Sequence, residues 1–321
     1  MKLRRSLFAV LSVGTLLAAT ACSGDDLDSA SDDETSSAPS TSTSASEEPA
    51  TGGPVTIASQ SFPEAALVAS MYEQLLEAQG YDADVKLVDA RDAYMPDFPG
   101  SVDIVPEYVG GIVNYLNGIA NGDKAEPFEA GDGSELAADG ADLLADAGIT
   151  LLDVSPATDT NAFFVTQDYS EENDVTALSD LEGESVVLAA APDCEGRLDC
   201  EGGLSDEYGI DVTEVLPLGY ASAETYKSVL DGESQLGETS TTDGTLESQG
   251  LVVLADDLQI QPAQNLVPAV SDDFLAEHPD VADILNPLMA ALTTEILTEL
   301  NGRISVDREK TEDVARDFLE T

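Results

Sequence analysis

Apolar positions along the chain switch repeatedly between a two-residue and a 3.6-residue period. Val55-Thr56-Ile57-Ala58 is a short β-branched run that predicts a strand. Val68, Met71, Tyr72, Leu75 and Leu76 then recur at helical spacing, and Gly80 provides the stop. Between the two, Ser61-Phe62-Pro63-Glu64 fits a capping box, with Ser61 as N-cap and Glu64 three residues on. Val85 and Leu87 alternate as the next strand, which completes a β-α-β unit. The pattern repeats. Val102–Val105 predicts a strand leading through Pro106-Glu107-Tyr108 into a helix, Leu136–Ala147 a helix ended by Gly148, and Ile149–Leu152 a strand.

A second series starts at Ala162-Phe163-Phe164-Val165 and continues with strands at Ser185–Ala190, Val215–Leu218, Gln235–Thr239, Leu251–Leu254 and Asn265–Val270, with a helix over Ala223–Leu230. The C-terminal part predicts helices over Val281–Leu292, Thr294–Leu300 and Thr311–Leu319. Strands alternating with helices imply an α/β protein with mostly parallel sheets, and two such series imply two lobes. Ligands in open α/β sheets bind beyond the carboxyl ends of strands. The loops Ser59–Phe62, Glu107–Tyr108 and Ser240–Gly244 occupy positions of that kind.

Upstream of the periodic region the chain has a different character. Lys2, Arg4 and Arg5 precede an apolar run over Leu7–Ala19, too short to span a bilayer comfortably, which ends in Ala19-Thr20-Ala21-Cys22. These last four residues resemble a bacterial lipoprotein box, with Ala19 in place of the usual Leu. Residues 1–21 are then a signal peptide and Cys22 the acylated residue; an ordinary secretory signal containing a cysteine is the other reading. Ser23–Gly53 is rich in Ser, Thr, Asp, Glu and Pro and has too little apolar surface to offset ordering entropy. As a flexible coil, residues 22–53 would reach on the order of 30 Å as a tether. The folded part begins near Pro54, and the mature protein lies outside the cytoplasm, held to the membrane.

Charge and chemistry narrow the function. With 12 Lys+Arg against 64 Asp+Glu the net charge is −52, which argues against a nucleic-acid partner. The acidity is read either as a solvated surface or as attraction of cationic solutes. Lipidation of Cys22 accounts for the odd cysteine among three and leaves Cys194 and Cys200 free to pair in an oxidising compartment. The single histidine, His278, stands in a His-Pro pair and reads as a surface residue. There is no nucleophile elbow, no phosphate-cradling loop and no dinucleotide fingerprint, so neither catalysis nor a cofactor is expected, and no metal site either.

Several segments resemble one family. Thr56–Glu64 and Val102-Asp103-Ile104-Val105-Pro106-Glu107-Tyr108 are similar to the first lobe of ABC-importer substrate-binding proteins for glycine betaine, carnitine and choline. Pro192-Asp193-Cys194 through Cys200, Gly203-Leu204, Tyr208-Gly209, Thr242-Asp243-Gly244, Gln261–Pro268, Leu292-Thr293-Thr294-Glu295 and Leu300-Asn301 extend the likeness to Leu319. The resemblance implies a two-lobed type II periplasmic-binding-protein fold with a cleft between the lobes. Residues 54–159 and 264–321 form lobe 1 and residues 160–263 form lobe 2. It implies capture of a quaternary-ammonium osmoprotectant and delivery to a membrane permease driven by an ATPase.

A quaternary ammonium has no N–H to donate, so aromatic faces must satisfy it, each contributing about 0.5–2 kcal/mol. The chain has no Trp. Tyr108, in the family's Pro-Glu-Tyr segment, and Tyr220, in a second-lobe loop, are the cage candidates, with Tyr94 in a ligand-facing loop. Asn161 stands where many members carry a cage tyrosine, and could bond a carboxylate or hydroxyl instead. Gln60 with the amides at the Ser61 helix start, and Thr242 with Thr241, are candidates for an anionic end. A Cys194–Cys200 disulfide would stiffen a loop holding Arg197, which pairs with a local acid or contacts the ligand. Two alternatives stay open: another zwitterionic nutrient such as ergothioneine or an amino-acid derivative, and a surface sensor or adhesin without transport.

Overall fold

The structure, a computed structural model, describes residues 52–125, 128 and 132–321. The signal segment, Cys22 and all but the end of the tether fall outside the described residues. Among the described residues ten strands form: β1 (Gly53–Gln60), β2 (Tyr81–Val88), β3 (Ile104–Tyr108), β4 (Ile149–Leu151), β5 (Asn161–Thr166), β6 (Ser185–Ala190), β7 (Asp211–Pro217), β8 (Leu236–Ser240), β9 (Leu251–Leu254) and β10 (Leu266–Ser271). They make two five-stranded sheets, ordered β2-β1-β3-β10-β4 and β7-β6-β8-β5-β9. The chain therefore passes from the first sheet to the second after β4, and returns after β9 to insert β10.

Each sheet is buried on both faces, which explains the nearly continuous apolar strands. In β10, Leu266 and Val270 enter one core cluster with Ile57, Leu67 and Tyr72, while Val267 and Ala269 enter the cluster on the opposite face with Val105 and Ile112. In β5, Phe163 and Val165 face one side of the second sheet and Phe164 the other. The two-residue alternation assigns these strand residues to a face, and is interrupted in β7, where a register shift puts Val212 and Val215 on the same cluster.

Sheet direction departs from the sequence-based expectation. Pairs β1–β2, β1–β3, β6–β7 and β6–β8 are parallel, but β10 runs antiparallel to β3 and β4, and β5 antiparallel to β8 and β9. The sheets are mixed, because each strand that enters a sheet from the other lobe arrives from the opposite end. Pro106-Glu107-Tyr108, expected as a lead-in to a helix, completes β3, with Pro106 paired to Pro268. The expected Leu136–Ala147 helix is two, Gly133–Asp139 and Ala141–Ala147, broken at Gly140.

The capping-box reading also fails. The first long helix spans Pro63–Ala78; Phe62 is its N-cap without a side-chain cap bond, and Pro63 fixes its start. Ser61 instead gives its backbone N–H to the Val88 carbonyl (2.8 Å). His278 is not a bare surface residue: it sits half-buried, its ring 5.5 Å from Tyr81 and 4.7 Å from Phe274.

Two crossing segments lie side by side between the sheets. Thr158 bridges Asn265, and the Asp159 N–H reaches the Gln264 carbonyl (3.1 Å). The Thr294–Ser305 helix braces them: Thr294 Oγ1 accepts from the Thr158 N–H (3.0 Å), and Thr298 Oγ1 donates to the Thr241 carbonyl (3.3 Å). At Gly244 the loop after β8 lies so close to this helix that a Cβ would sit 2.3 Å from Gly302 N and Thr298 O. Glycine is required there by backbone approach rather than by φ.

Two stability predictions follow from these contacts. Gly244→Ala should cost about 1–3 kcal/mol as overpacking, whereas Gly302→Ala, whose Cβ would lie 3.1 Å from the Gly244 carbonyl, should melt near the wild-type temperature; equal melting of Gly244→Ala and wild type would refute the close-packing argument. Cys194 and Cys200 are bonded to each other and fully buried. Replacing both by alanine should cost about 2 kcal/mol through lost loop-closure constraint, read as a fall in denaturation midpoint relative to the oxidised wild type.

Candidate functional site

The site is built around a carboxylate that the helix start delivers into the interior. Glu64, one residue past Pro63, is only 3% exposed. Its Oε1 accepts from the Tyr108 hydroxyl (2.6 Å) and its Oε2 from Asn301 Nδ2 (2.7 Å). Asn301 Nδ2 also donates to the Thr242 carbonyl (3.0 Å), which brings the loop after β8 to the same point. One side chain thus links the Pro63–Ala78 helix, the end of β3, the Thr294–Ser305 helix and the loop after β8.

A second acid shares this environment. Asp159 lies on the crossing into the second sheet and accepts from the Ser240 hydroxyl, which lies 3.0 Å from the Thr242 hydroxyl. Burial, then the charge of Asp159, push the Glu64 carboxyl up to about 7, while hydrogen bonds from Thr242, Tyr108 and Asn301 act in the opposite direction. Burial also raises Asp159, against the Ser240 and Thr242 hydroxyls. The Tyr108 hydroxyl is raised by burial first, then by the charges of Glu64 and Asp159. Tyr220 is raised by burial and next by the charge of Asp159, with Ser240 acting in the opposite direction. Asp159 therefore acts on Glu64, Tyr108 and Tyr220 alike.

The candidate residues divide accordingly. Tyr108, Tyr220 and Thr242 join one group with Glu64 and Asp159. Tyr108 is nearly buried, stacking on Phe62 with ring centroids 6.4 Å apart at 23°, whereas Tyr220 is 44% exposed. Thr242 is no helix cap, since the short helix beyond it starts at Leu246 with Thr245 as N-cap. Thr241 is engaged structurally: its hydroxyl donates to the Thr158 carbonyl (2.9 Å) and accepts from the Thr160 N–H (3.1 Å).

Tyr94 is placed differently from its expected ligand-facing loop. It lies in a short helix, Arg91–Tyr94, 2% exposed and packed with Phe98, Val102 and Val105. Its hydroxyl donates to Glu107, which Arg91 also grips through Nε (2.7 Å) and Nη2 (2.8 Å). Glu107 Oε2 accepts from the Tyr108 N–H (3.0 Å), so Tyr94 reaches the group only by bracing the residue before Tyr108. Gln60 ends β1, half-buried. The anion site expected beside it loses the Ser61 amide to Val88.

Asn161 opens β5 and donates to Asp199 Oδ2 (3.2 Å). Arg197 takes the same carboxylate through Nη2 (2.6 Å) and Asp193 through Nη1 (3.2 Å), the local pairing among the two options. Gln261 Nε2 donates to the Asp199 carbonyl (2.9 Å), so the disulfide loop is joined to β5 and to the returning crossover. Cys194, Cys200 and Glu238 lie close enough to suggest an ion site, but the two sulfurs are bonded to each other and offer no thiolate. A groove of about 1010 Å³ between Leu246–Val253 and the Thr294–Ser305 helix is lined by Asp243, Glu295, Thr298 and Arg303, and of the candidate ligand residues by Thr241 alone.

Glu64, Asp159, Asn301, Ser240 and Phe62 were absent from the sequence-derived candidates. Glu64 was hidden by its fit to a capping box. Asp159 carried a usable signal: an acid at the point where the chain leaves one α/β series for the next, where a hinge must run.

With this geometry in hand, the chain can be compared with known proteins. Residues 53–321 match the family described as OpuAC, substrate binding domain of ABC-type glycine betaine transport system. A glycine-betaine-binding protein of Pseudomonas aeruginosa is 26% identical over 275 residues, covering 82% of this chain and 86% of its own length. The glycine betaine-binding protein YehZ of Escherichia coli is 28% identical over 278 residues, covering 83% of this chain and 90% of its own. The solved structure of apo YehZ from E. coli superposes with a TM-score of 0.70 at 26% identity, over 83% of this chain and 98% of that one. This two-lobed α/β chain belongs to the family of substrate-binding domains of ABC-type glycine betaine transport systems.

Proposed function

We propose that the chain is the extracytoplasmic, lipid-anchored receptor of an ABC importer and captures a quaternary-ammonium osmoprotectant. Its family is one of binding domains rather than enzymes. The observation that carries the reading is the meeting of the two sheets at a pair of acids. Tyr108, ending β3, donates to Glu64 (2.6 Å), and Ser240, ending β8, donates to Asp159. Asn301 ties Glu64 to the Thr242 carbonyl (3.0 Å), with Tyr220 in the loop after β7 raised by the charge of the same Asp159. Aromatic faces and a carboxylate are the groups that satisfy a cation unable to donate hydrogen bonds.

Residues 54–159 with 264–321 act as one moving body, and 160–263 as the other. The paired crossings at Thr158 and Asn265 are the hinge between them. A solute touching both lobes binds the closed state better than the open one and shifts the equilibrium by that difference. The closed form then engages the permease. Acylated Cys22 and the tether keep the receptor near it, so capture and delivery share one small volume.

Calorimetric titration with glycine betaine, choline, carnitine, proline betaine and ergothioneine tests the ligand class. At least one quaternary ammonium should bind below millimolar concentration; binding by none would end the reading. Tyr108→Ala should weaken that binding roughly 2- to 30-fold, the span of one cation–π contact, and Tyr108→Phe, which keeps the ring, should weaken it less. Cys22→Ala should release the protein from washed cells and abolish labelling by a palmitate analogue, while retention of both would rule out the anchor.

A further inference from the structure

The Glu64–Asp159 pair has an electrostatic deficit that the protein itself does not cover. Every group bonded to it is neutral: Tyr108 and Asn301 on Glu64, and Ser240, itself beside the Thr242 hydroxyl, on Asp159. The arginines of neighbouring segments are committed elsewhere, Arg91 to Glu107 and Arg197 to Asp199 and Asp193. Asn301, 7% exposed, has its Oδ1 buried without a hydrogen-bond partner among the described residues, which adds another uncompensated acceptor to the same group. Two carboxyls, a bare amide oxygen and two tyrosines on the field of Asp159 make a site rich in negative potential.

This deficit discriminates between ligands of the same shape. A cation without a carboxylate relieves it. A zwitterion brings a further carboxylate, which must then be placed beside two acids with only neutral donors at hand. Tyr108 adds to the bias, because donating its hydroxyl to Glu64 enriches its ring for a cation on the face. We propose that Glu64 and Asp159 are the charge-determining residues of the cleft, favouring a net-positive quaternary ammonium alcohol such as choline over a zwitterionic betaine, and that the bound cation expels a proton from the pair. The inference rests on the quaternary-ammonium reading above. Asp159 acts directly as a half-buried acid; Glu64 is a positioning residue that acts through Tyr108.

The pH dependence has a definite sign. Facing the pair are Tyr108 from β3, Asn301 from the Thr294–Ser305 helix, Ser240 and Thr242 from the end of β8, and Tyr220 from the loop after β7. Charged groups bearing on those tyrosines are Glu107, which Arg91 pairs, and Glu238, itself raised by burial. The hydroxyls of Tyr108 and Tyr220 are raised away from the neutral range, which leaves Glu64, at about 7, as the titrating member. A cation prefers the ionised pair, so its affinity increases with pH, by up to about tenfold between pH 6 and 8 if only the ionised form binds.

The test is calorimetry on the mature protein with choline and glycine betaine, at pH 6 and 8, in two buffers of different ionisation enthalpy. Choline should bind at least about tenfold tighter than glycine betaine at pH 8, its affinity should fall at pH 6, and its binding should release protons. Asp159→Asn should shrink the choline-to-betaine ratio, and Glu64→Gln should flatten the pH slope. Should Glu64→Gln not fold, Asp159→Asn and the wild-type proton count decide. Glycine betaine binding as tightly as choline at pH 8, or a ratio unmoved by Asp159→Asn, overturns the charge assignment and leaves the quaternary-ammonium reading standing. Binding of neither ligand overturns both.

Discussion

A carboxyl buried as deeply as Glu64 must be hydrogen-bonded, neutralised or matched by a cation, and the surrounding structure is arranged around that requirement. Four segments far apart in sequence meet at it, and each contributes a neutral donor or its own acid. Neutral donors leave the charge partly uncompensated, which is costly in the empty protein and useful once a cation arrives. This contact ties β3, the Thr294–Ser305 helix and the loop after β8 to a common point. The nearby Gly244–Gly302 approach brings that loop within reach, and Thr241 clasps the crossing strand behind it. The site and the hinge are thus parts of one hydrogen-bonded assembly.

Much of the architecture was legible in the sequence, because strands buried on both faces read as unbroken apolar runs. Ser185–Ala190, Ala223–Leu230 and Leu251–Leu254 were bounded as the structure has them. Direction was not legible. Nothing local in Leu266–Ser271 says that it inserts between β3 and β4 from the far end, since antiparallel entry is set by the return of the chain from another lobe. The same long-range topology placed Pro106 in a strand opposite Pro268, where local rules favoured a turn.

The candidate site was legible in part, and its gaps share one cause. Tyr108, Tyr220 and Thr242, singled out as aromatic and hydroxyl residues after strands, fall in one group with Glu64 and Asp159. Glu64 was misassigned because a local explanation, the capping box, used the same residue. Pro63 makes the difference: with no N–H to cap and a fixed φ it starts the helix itself, so Glu64 is free to point inward. Tyr94 was misplaced for a related reason. Its loop setting suggested solvent, but a bidentate Arg91–Glu107 pair draws the segment into the core and spends the phenol on Glu107.

The overall acidity can now be weighed against the local acidity. A net charge of −52 spread over solvated residues is screened within about 8 Å at physiological salt and cannot choose among ligands at a cleft. The Glu64–Asp159 pair is a different case: Glu64 is buried and Asp159 half-buried, so their field is screened less. Surface charge draws cations toward the protein, while the pair distinguishes a cation from a zwitterion at short range. The two readings of acidity left open by composition are therefore not rivals. They operate at different distances, and only the buried pair has the geometry to confer specificity.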